Sequence, residues 1–148
     1  MSTLKDKIAV VTGSTRGYGY AIAESLLEAG ATVVITGRSQ EALEHALNGL
    51  QPKGPVSGFV LDVRQEEQIY RLVREVLAQH GRIDIWINNA GYSNAAGLML
   101  DMNPQDALDM FLVNDLGVLR VAWENLTKTG QTPAFELQYQ DAYHFHGT

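Results

Sequence analysis

Short apolar runs alternate with stretches of helical periodicity through residues 8–88. Ile8-Ala9-Val10-Val11 is apolar on both faces and predicts a buried strand. Gly13, Gly17 and Gly19 lead into a helix with Ile22, Ala23, Leu26 and Leu27 at helical spacing and Gly30 as its C-cap. Thr32 to Thr36 predicts a second strand. Ser39 then offers an N-cap to a helix with Leu43, Ala46, Leu47 and Leu50 on one face, ended by Pro52-Lys53-Gly54-Pro55. Val56 to Leu61 predicts a third strand running into Asp62. Gln65 to His80 places Ile69, Leu72, Val73, Val76 and Leu77 on one stripe, Gly81 stops that helix, and Ile83 to Asn88 predicts a fourth strand. Strands separated by helices imply right-handed βαβ crossovers. The expected fold is therefore α/β, a doubly wound parallel sheet in a three-layer α/β/α arrangement.

The pattern changes further along. Asn103-Pro104-Gln105-Asp106 supplies an N-cap, a proline at the first helical position and an acid in the first turn, so a helix is expected from there to about Thr127. It is apolar nearly all round, from Leu108 through Leu112, Leu116 and Val121 to Leu126, and one face needs cover beyond its own sheet. A self-association surface is expected there, making the chain a homo-oligomer. Phe135, Leu137 and Tyr139 alternate with Glu136, Gln138 and Gln140, as in a strand with one wet face, which would suit an edge beside the fourth strand. Residues 141–148 read as a frayed end. The division this suggests is a nucleotide-binding domain over 1–131 and an atypical tail over 132–148.

Composition narrows the setting. A chain of 148 residues is long enough for a sizeable core, and with no cysteine it has neither disulfides nor a thiolate metal site. Met1 to Lys7 carries both charge signs and no apolar stretch approaches ~20 residues, so neither a signal peptide nor a membrane span is expected, and the expected home is the cytoplasm. A net charge of −6 argues against nucleic acid as a partner. The charge is uneven: residues 1–91 hold nine Lys+Arg and ten Asp+Glu, whereas residues 92–148 hold two and seven. Only the first part is suited to an anion.

Thr12-Gly13-Ser14-Thr15-Arg16-Gly17-Tyr18-Gly19 joins a buried strand to a helix. In that setting Gly13 permits a tight turn, Gly17 lets backbone approach a pyrophosphate, and Gly19 lets helix and strand pack closely, with unpaired amides and the positive end of the helix dipole facing the anion. Many such turns are structural only. Here the turn follows the first strand of a βαβαβ unit, which favours a dinucleotide.

These residues resemble the Thr-Gly-x-x-x-Gly-x-Gly motif of the short-chain dehydrogenase/reductase family. Asn88-Asn89-Ala90-Gly91 is similar to its second motif at the end of the fourth strand, and Asn114, with Gly117 three residues on, to its helix asparagine. The likeness covers residues 5 to about 127 and implies a Rossmann-like fold, incomplete relative to the family's. It also implies that Gly13, Gly17 and Gly19 wrap the cofactor phosphates, with Ser14, Thr15, Arg16 and Tyr18 of the same turn among the cofactor-binding residues. Asp62 would hydrogen-bond the adenine and Asn88 and Ala90 would lie along the cofactor, with Val63 and Gly91 also cofactor-binding. Asp62 has an alternative reading as a cap before the next helix, and Asn88 and Asn89 as amides tying neighbouring loops. The two motifs together also faintly resemble the chlorophyll b reductase branch.

Charge bears on cofactor choice. A site for the ribose diol wants an acid after the second strand, but Thr36-Gly37-Arg38-Ser39 stands there, with Arg16 in the glycine-rich turn. Two guanidinium groups favour a 2′-phosphate, so NADP(H) is expected rather than NAD(H), unless both arginines are merely solvated.

Hydride transfer to a carbonyl needs a proton donor, and in the family a Tyr supplies it with a Lys four residues later and an upstream Ser. Tyr18, Tyr20, Tyr70, Tyr92, Tyr139 and Tyr143 are followed at that spacing by Ile22, Glu24, Arg74, Ala96, Tyr143 and Gly147, none of them Lys. Asn114 alone matches a member of the family's catalytic tetrad. Ser93 is placed to line a substrate cleft, though loop polarity explains it equally well. His144 and His146 have no carboxylate partner nearby, and no metal site is expected. The expectation is an NADP(H)-binding oxidoreductase portion, with catalysis on a carbonyl or alcohol in doubt for want of the donor pair. The alternative is a non-catalytic nucleotide-binding or interaction module that pairs through the Asn103 helix.

Overall fold

The computed structural model describes residues 3–91 and 104–116. The elements run β1 (Ile8–Val11), α1 (Gly17–Glu28), β2 (Thr32–Gly37), α2 (Gln40–Leu50), a 3-10 turn (Gln51–Lys53), β3 (Val56–Val60), α3 (Glu66–His80), β4 (Ile85–Ile87) and α4 (Pro104–Phe111), which continues as a π-helical turn (Leu112–Leu116). All strand pairs are parallel, in the order β3-β2-β1-β4. The chain steps outward from β1 through β2 to β3 and then crosses back to lay β4 on the other side of β1. The direction of winding reverses between β1 and β4, and ligands of such sheets bind at the carboxyl ends of strands at that point.

Alternation along the strands builds two cores. Ile8 and Val10 point to one face, where they meet Val34, Trp86, Ile69, Leu72, Val73 and Val76, so α3 covers that side and Val113 from the π turn joins it. Ala9 and Val11 point to the other, where Val33 and Ile35 pack with Ala23 and Leu27 of α1 and Leu43, Ala46 and Leu50 of α2. The three-layer expectation holds. β3 is the edge strand of the described sheet, and Val60 at its end is half-exposed.

Local signals fix most boundaries. The Ser39 side chain accepts from Ala42 N–H at 3.4 Å to cap α2. Gly81 ends α3 in the left-handed region at φ 74°, its N–H on Leu77 carbonyl at 2.8 Å. At the end of α1 the cap is Ala29, one residue before the glycine expected there. Gly30 is the left-handed residue beyond it, φ 95°, with Gly30 N–H on Leu27 carbonyl and Ala31 N–H on Leu26 carbonyl, the paired bonds of a Schellman motif.

β4 is shorter than the expected 83–88. At its start the Ile8 amide bonds to the Asp84 carboxylate at 2.9 Å, and at its end Asn89 turns toward β1. Asp84 is thereby a fastener between the two strands. It also meets Arg82 and Lys7. Burial pushes its carboxyl up, but the hydrogen bonds from Arg82, the Ile8 amide and Lys7 outweigh that and hold it at about 2.

Among the described residues no helix is long and apolar enough to cross a membrane. The Asn103 cap, the continuation of the helix to Thr127, the edge strand over 135–140, the tail, Ser93 and the histidines at 144 and 146 lie outside the described residues.

Candidate functional site

The turn from β1 into α1 is shaped by glycines at two positive φ angles, Gly13 at 61° and Gly17 at 58°. Gly13 also lies against the β4 loop, since a Cβ there would come 2.8 Å from Ala90 Cα. Gly19 answers to packing: its Cβ would meet the Asn89 side chain and come 2.6 Å from Gly13 carbonyl and 2.9 Å from Ser14 Cα. Helix, turn and neighbouring loop thus close on one another at a spacing that admits hydrogen only.

Buried hydroxyls hold this turn from beneath. Ser14 is fully buried; its Oγ donates to Val11 carbonyl at 2.6 Å and accepts from Thr36 N–H at 3.0 Å, while its own N–H donates to Thr36 carbonyl at 2.8 Å. Gly13 N–H donates to Thr36 Oγ1 at 3.1 Å. Neither Ser14 nor Gly13 therefore has its amide turned to a ligand, and the Ser14 side chain ties β1 to β2. Thr12 does the same toward β4: its Oγ1 accepts from both Asn89 and Ala90 N–H at 3.0 Å. The Asn89 side chain returns two bonds, to Thr12 carbonyl at 3.1 Å and Gly13 carbonyl at 3.0 Å. Asn88, half-buried, accepts from the Trp86 indole at 3.1 Å. Asn89 is thus the asparagine that ties the loops, while Asn88 is anchored to its own strand.

Above this framework the first turn of α1 stands open. The first-turn amides of a helix have no intrahelical acceptor. In α1 the N-cap residue Arg16 makes no side-chain cap bond and the first turn holds no acid, whereas α2 has Ser39 and Glu41, and α3 has Glu66 and Glu67. Arg16, Gly17 and Tyr18 are exposed; Thr15 is half-buried, its methyl in the space that Gly37 leaves by having no side chain. Arg64, Arg71, Arg74 and Arg82 each meet a carboxylate, but Arg16 and Arg38 form no ion pair among the described residues. Two unpaired guanidinium groups and the positive end of α1 thus border one end of the sheet.

Asp62 follows β3 and Arg38 follows β2; Gly37 pairs with Val60 and Leu61 N–H bonds to Gly37 carbonyl at 2.9 Å, so the two chains leave the sheet together, one residue out of register. Sequence reading missed what Asp62 holds. Arg64 grips its carboxylate through Nε at 3.0 and 3.1 Å and a terminal nitrogen at 2.6 Å, and the Arg64 amide bonds to the same group at 3.0 Å. The other terminal nitrogen reaches Asp109 of α4 at 3.3 Å. The Arg64 hydrogen bonds lower the Asp62 pKa against the opposing effect of burial, and the charge of Arg38 adds to the lowering. The carboxylate closes the turn ahead of α3 by accepting from the Arg64 amide; α3 itself starts at Glu66, and its N-cap Gln65 makes no side-chain cap bond. Val63 is buried in the α3-side core; its side chain faces away from the sheet end.

Asn114 stands in the π turn and is half-buried. A Cβ on Gly91 would come 3.6 Å from its Oδ1, so the helix asparagine lies against the end of the Asn88–Gly91 motif. Single π turns inside α-helices occur often at functional sites. The structure thus collects Gly13, Gly17, Gly19, Asn89, Ala90, Gly91 and Asn114 at the junction of β1 and β4, with Arg16, Arg38 and Asp62 alongside.

Comparison with known proteins places this architecture. The short chain dehydrogenase family model matches residues 7–132, and the chain belongs to the short-chain dehydrogenase/reductase family. It is 37% identical over 95 residues to a 3alpha-hydroxysteroid dehydrogenase of Mediterraneibacter gnavus, covering 62% of this chain and 38% of that protein. A metagenomic short-chain oxidoreductase in complex with NADP superposes with a TM-score of 0.78 at 33% identity, over 83% of this chain and 56% of that one. The Pseudomonas aeruginosa RhlG/NADP active-site complex gives the same TM-score and identity, over 84% and 48%. The chain spans 33–38% of the length of the first curated relatives it matches.

Proposed function

We propose that this chain is the nucleotide-binding portion of an NADP(H)-dependent short-chain oxidoreductase, holding the dinucleotide across the ends of β1, β2, β3 and β4. The observation that carries this reading is the uncapped, acid-free start of α1 at a turn whose glycines exclude side chains. The diphosphate lies on the amides from Thr15 to Gly19, with Gly13 and Ser14 shaping the turn and Tyr18 exposed beside it. Arg16 and Arg38 take the 2′-phosphate, a preference supported by their forming no ion pair among the described residues and by the NADP in the two similar structures. Asp62 and the backbone at Val63 border the adenine; Asn88, Ala90 and Gly91 line the path toward the nicotinamide, and Asn114 stands at its far end.

When bound, the nicotinamide supplies a hydride for exchange with a carbonyl or alcohol. Reduction of a carbonyl also calls for a proton donor, and no tyrosine of this sequence has a lysine four residues on. We therefore infer cofactor capture without turnover by the chain as it stands. NADPH fluorescence titration tests capture, and NADPH oxidation over a panel of ketones and quinones tests chemistry. Saturable binding with no turnover is expected; absence of binding overturns the reading, and turnover shows that another group donates the proton.

Self-association through α4 is the second part of the proposal. Leu108 is 48% exposed there, at the start of the sequence stretch from Leu108 to Leu126 that is apolar nearly all round. Light scattering at micromolar concentration is expected to return a dimer or larger, and a monomer refutes it.

A further inference from the structure

Resting on the NADP(H) reading, we propose that Arg64 is a specificity-determining residue, which sets the preference for a 2′-phosphorylated nucleotide by neutralising Asp62 beside the phosphate site. Gly37 pairs with Val60 and Leu61 N–H bonds to Gly37 carbonyl, so Arg38 and Asp62 leave the carboxyl ends of adjacent strands one residue out of register, near enough for the Arg38 charge to lower the Asp62 pKa. A bare carboxylate at that position acts on the phosphate twice. It repels the added negative charge directly, and it competes for the Arg38 guanidinium that would otherwise face the phosphate. Arg64 removes both effects. Its guanidinium covers both Asp62 oxygens, at 2.6 to 3.1 Å, and its second terminal nitrogen is held by Asp109 from α4 at 3.3 Å, so the covering group is fastened from behind. Gln105 in turn donates to Asp109 at 3.2 Å. The lowered pKa of Asp62 agrees with a carboxylate that stays ionised and paired. NADH has no 2′-phosphate, so the same pairing bears far less on its binding.

The test is the ratio of NADPH to NADH dissociation constants at low ionic strength, measured by fluorescence titration on the full chain. Arg64→Met is expected to raise that ratio about tenfold, because an anion is exposed within screening distance of a phosphate. Arg64→Lys, which keeps the charge, is expected to retain most of the original preference. Adding Asp62→Asn to Arg64→Met is expected to restore the ratio. Asp62→Asn alone, which frees the Arg64 charge without altering shape, is expected to lower it, and this variant serves even if Arg64→Met fails to fold. A ratio that stays within about twofold of the parent's in Arg64→Met, equal weakening of both nucleotides, or no restoration by Asp62→Asn overturns the proposal. Failure of the unaltered chain to bind either nucleotide overturns the NADP(H) reading itself, an outcome distinct from binding without the shift in ratio.

Discussion

Replacing Thr12 by valine tests how the two halves of the site are held together. The substitution nearly conserves shape, so the change is confined to the hydroxyl. Thr12 is 1% exposed, and its Oγ1 accepts two amide bonds at 3.0 Å from Asn89 and Ala90, while its own bond to Ile87 carbonyl, at 3.4 Å, is weak. Leaving a buried donor without an acceptor costs roughly 1–3 kcal/mol. Asn89 and Ala90 are half-buried, so water recovers part of that, and the pair should lose about 2–3 kcal/mol together. For a domain of this size that lowers Tm by about 5–10 °C. The loop that leaves β4 also loses its tether to the glycine-rich turn, so NADPH should bind at least about tenfold more weakly, one 1.4 kcal/mol step. Urea unfolding of Thr12→Val and Thr12→Ser, with the nucleotide titration of each, separates the causes. Serine keeps the acceptor and should lose about 1 kcal/mol or less in stability and little affinity. A valine variant as stable and as tight-binding as the parent would show that Thr12 is not the fastener and refute the reasoning.

Other expectations are as direct. Gly19→Ala should abolish measurable NADPH binding, because the added carbon would come 2.6 Å from Gly13 carbonyl and meet Asn89; unaltered affinity, read by fluorescence, would place the nucleotide elsewhere. Arg38→Ala should weaken NADPH about tenfold while leaving NADH nearly unchanged, since a charged hydrogen-bond partner contributes about 1.5–3 kcal/mol, less where exposed; equal losses for both cofactors would remove the 2′-phosphate from that site. Asp84, lowered to about 2 from 3.8, stabilises the fold fully above about pH 4. That contribution, about 2 kcal/mol, fades as pH falls through the window from 4 to 2, so Asp84→Asn should be less stable at pH 7 and its acid unfolding less steep; parallel curves for the two proteins count against it.

The parts of the fold that were legible in the sequence are those that repeat. Apolar runs such as Val33 to Ile35 and helical stripes such as Ile69, Leu72, Val73 and Val76 are periodic because a face is buried, and Ser39, Gly30 and Gly81 mark ends because their conformations or side chains complete the helix. What escaped is local substitution of one bond for another. β4 begins later than its apolar pattern suggests because Asp84 offers the Ile8 amide a side-chain acceptor. Leu112 to Leu116 widens into a π turn, which spacing alone does not mark, although Asn114 within it was singled out by likeness. Ser14, grouped with the cofactor-binding residues, spends its hydroxyl inside the sheet, as Thr12 and Thr36 do. Buried hydroxyls in an apolar run carry no period and no charge, so only coordinates reveal their partners. The Asp62, Arg64 and Asp109 chain escaped for another reason: it joins residues two and then forty-five positions apart on different elements.

The central claim is that the amide hydrogens opening α1 receive the diphosphate of NADP(H). Backbone amide resonances followed through an NADP+ titration test it most directly. The account predicts saturable shifts largest at Gly17, Tyr18 and Gly19, with those of Gly81 at the opposite end of the sheet unmoved. Saturation with the α1 amides silent, or no saturation at all, would contradict it.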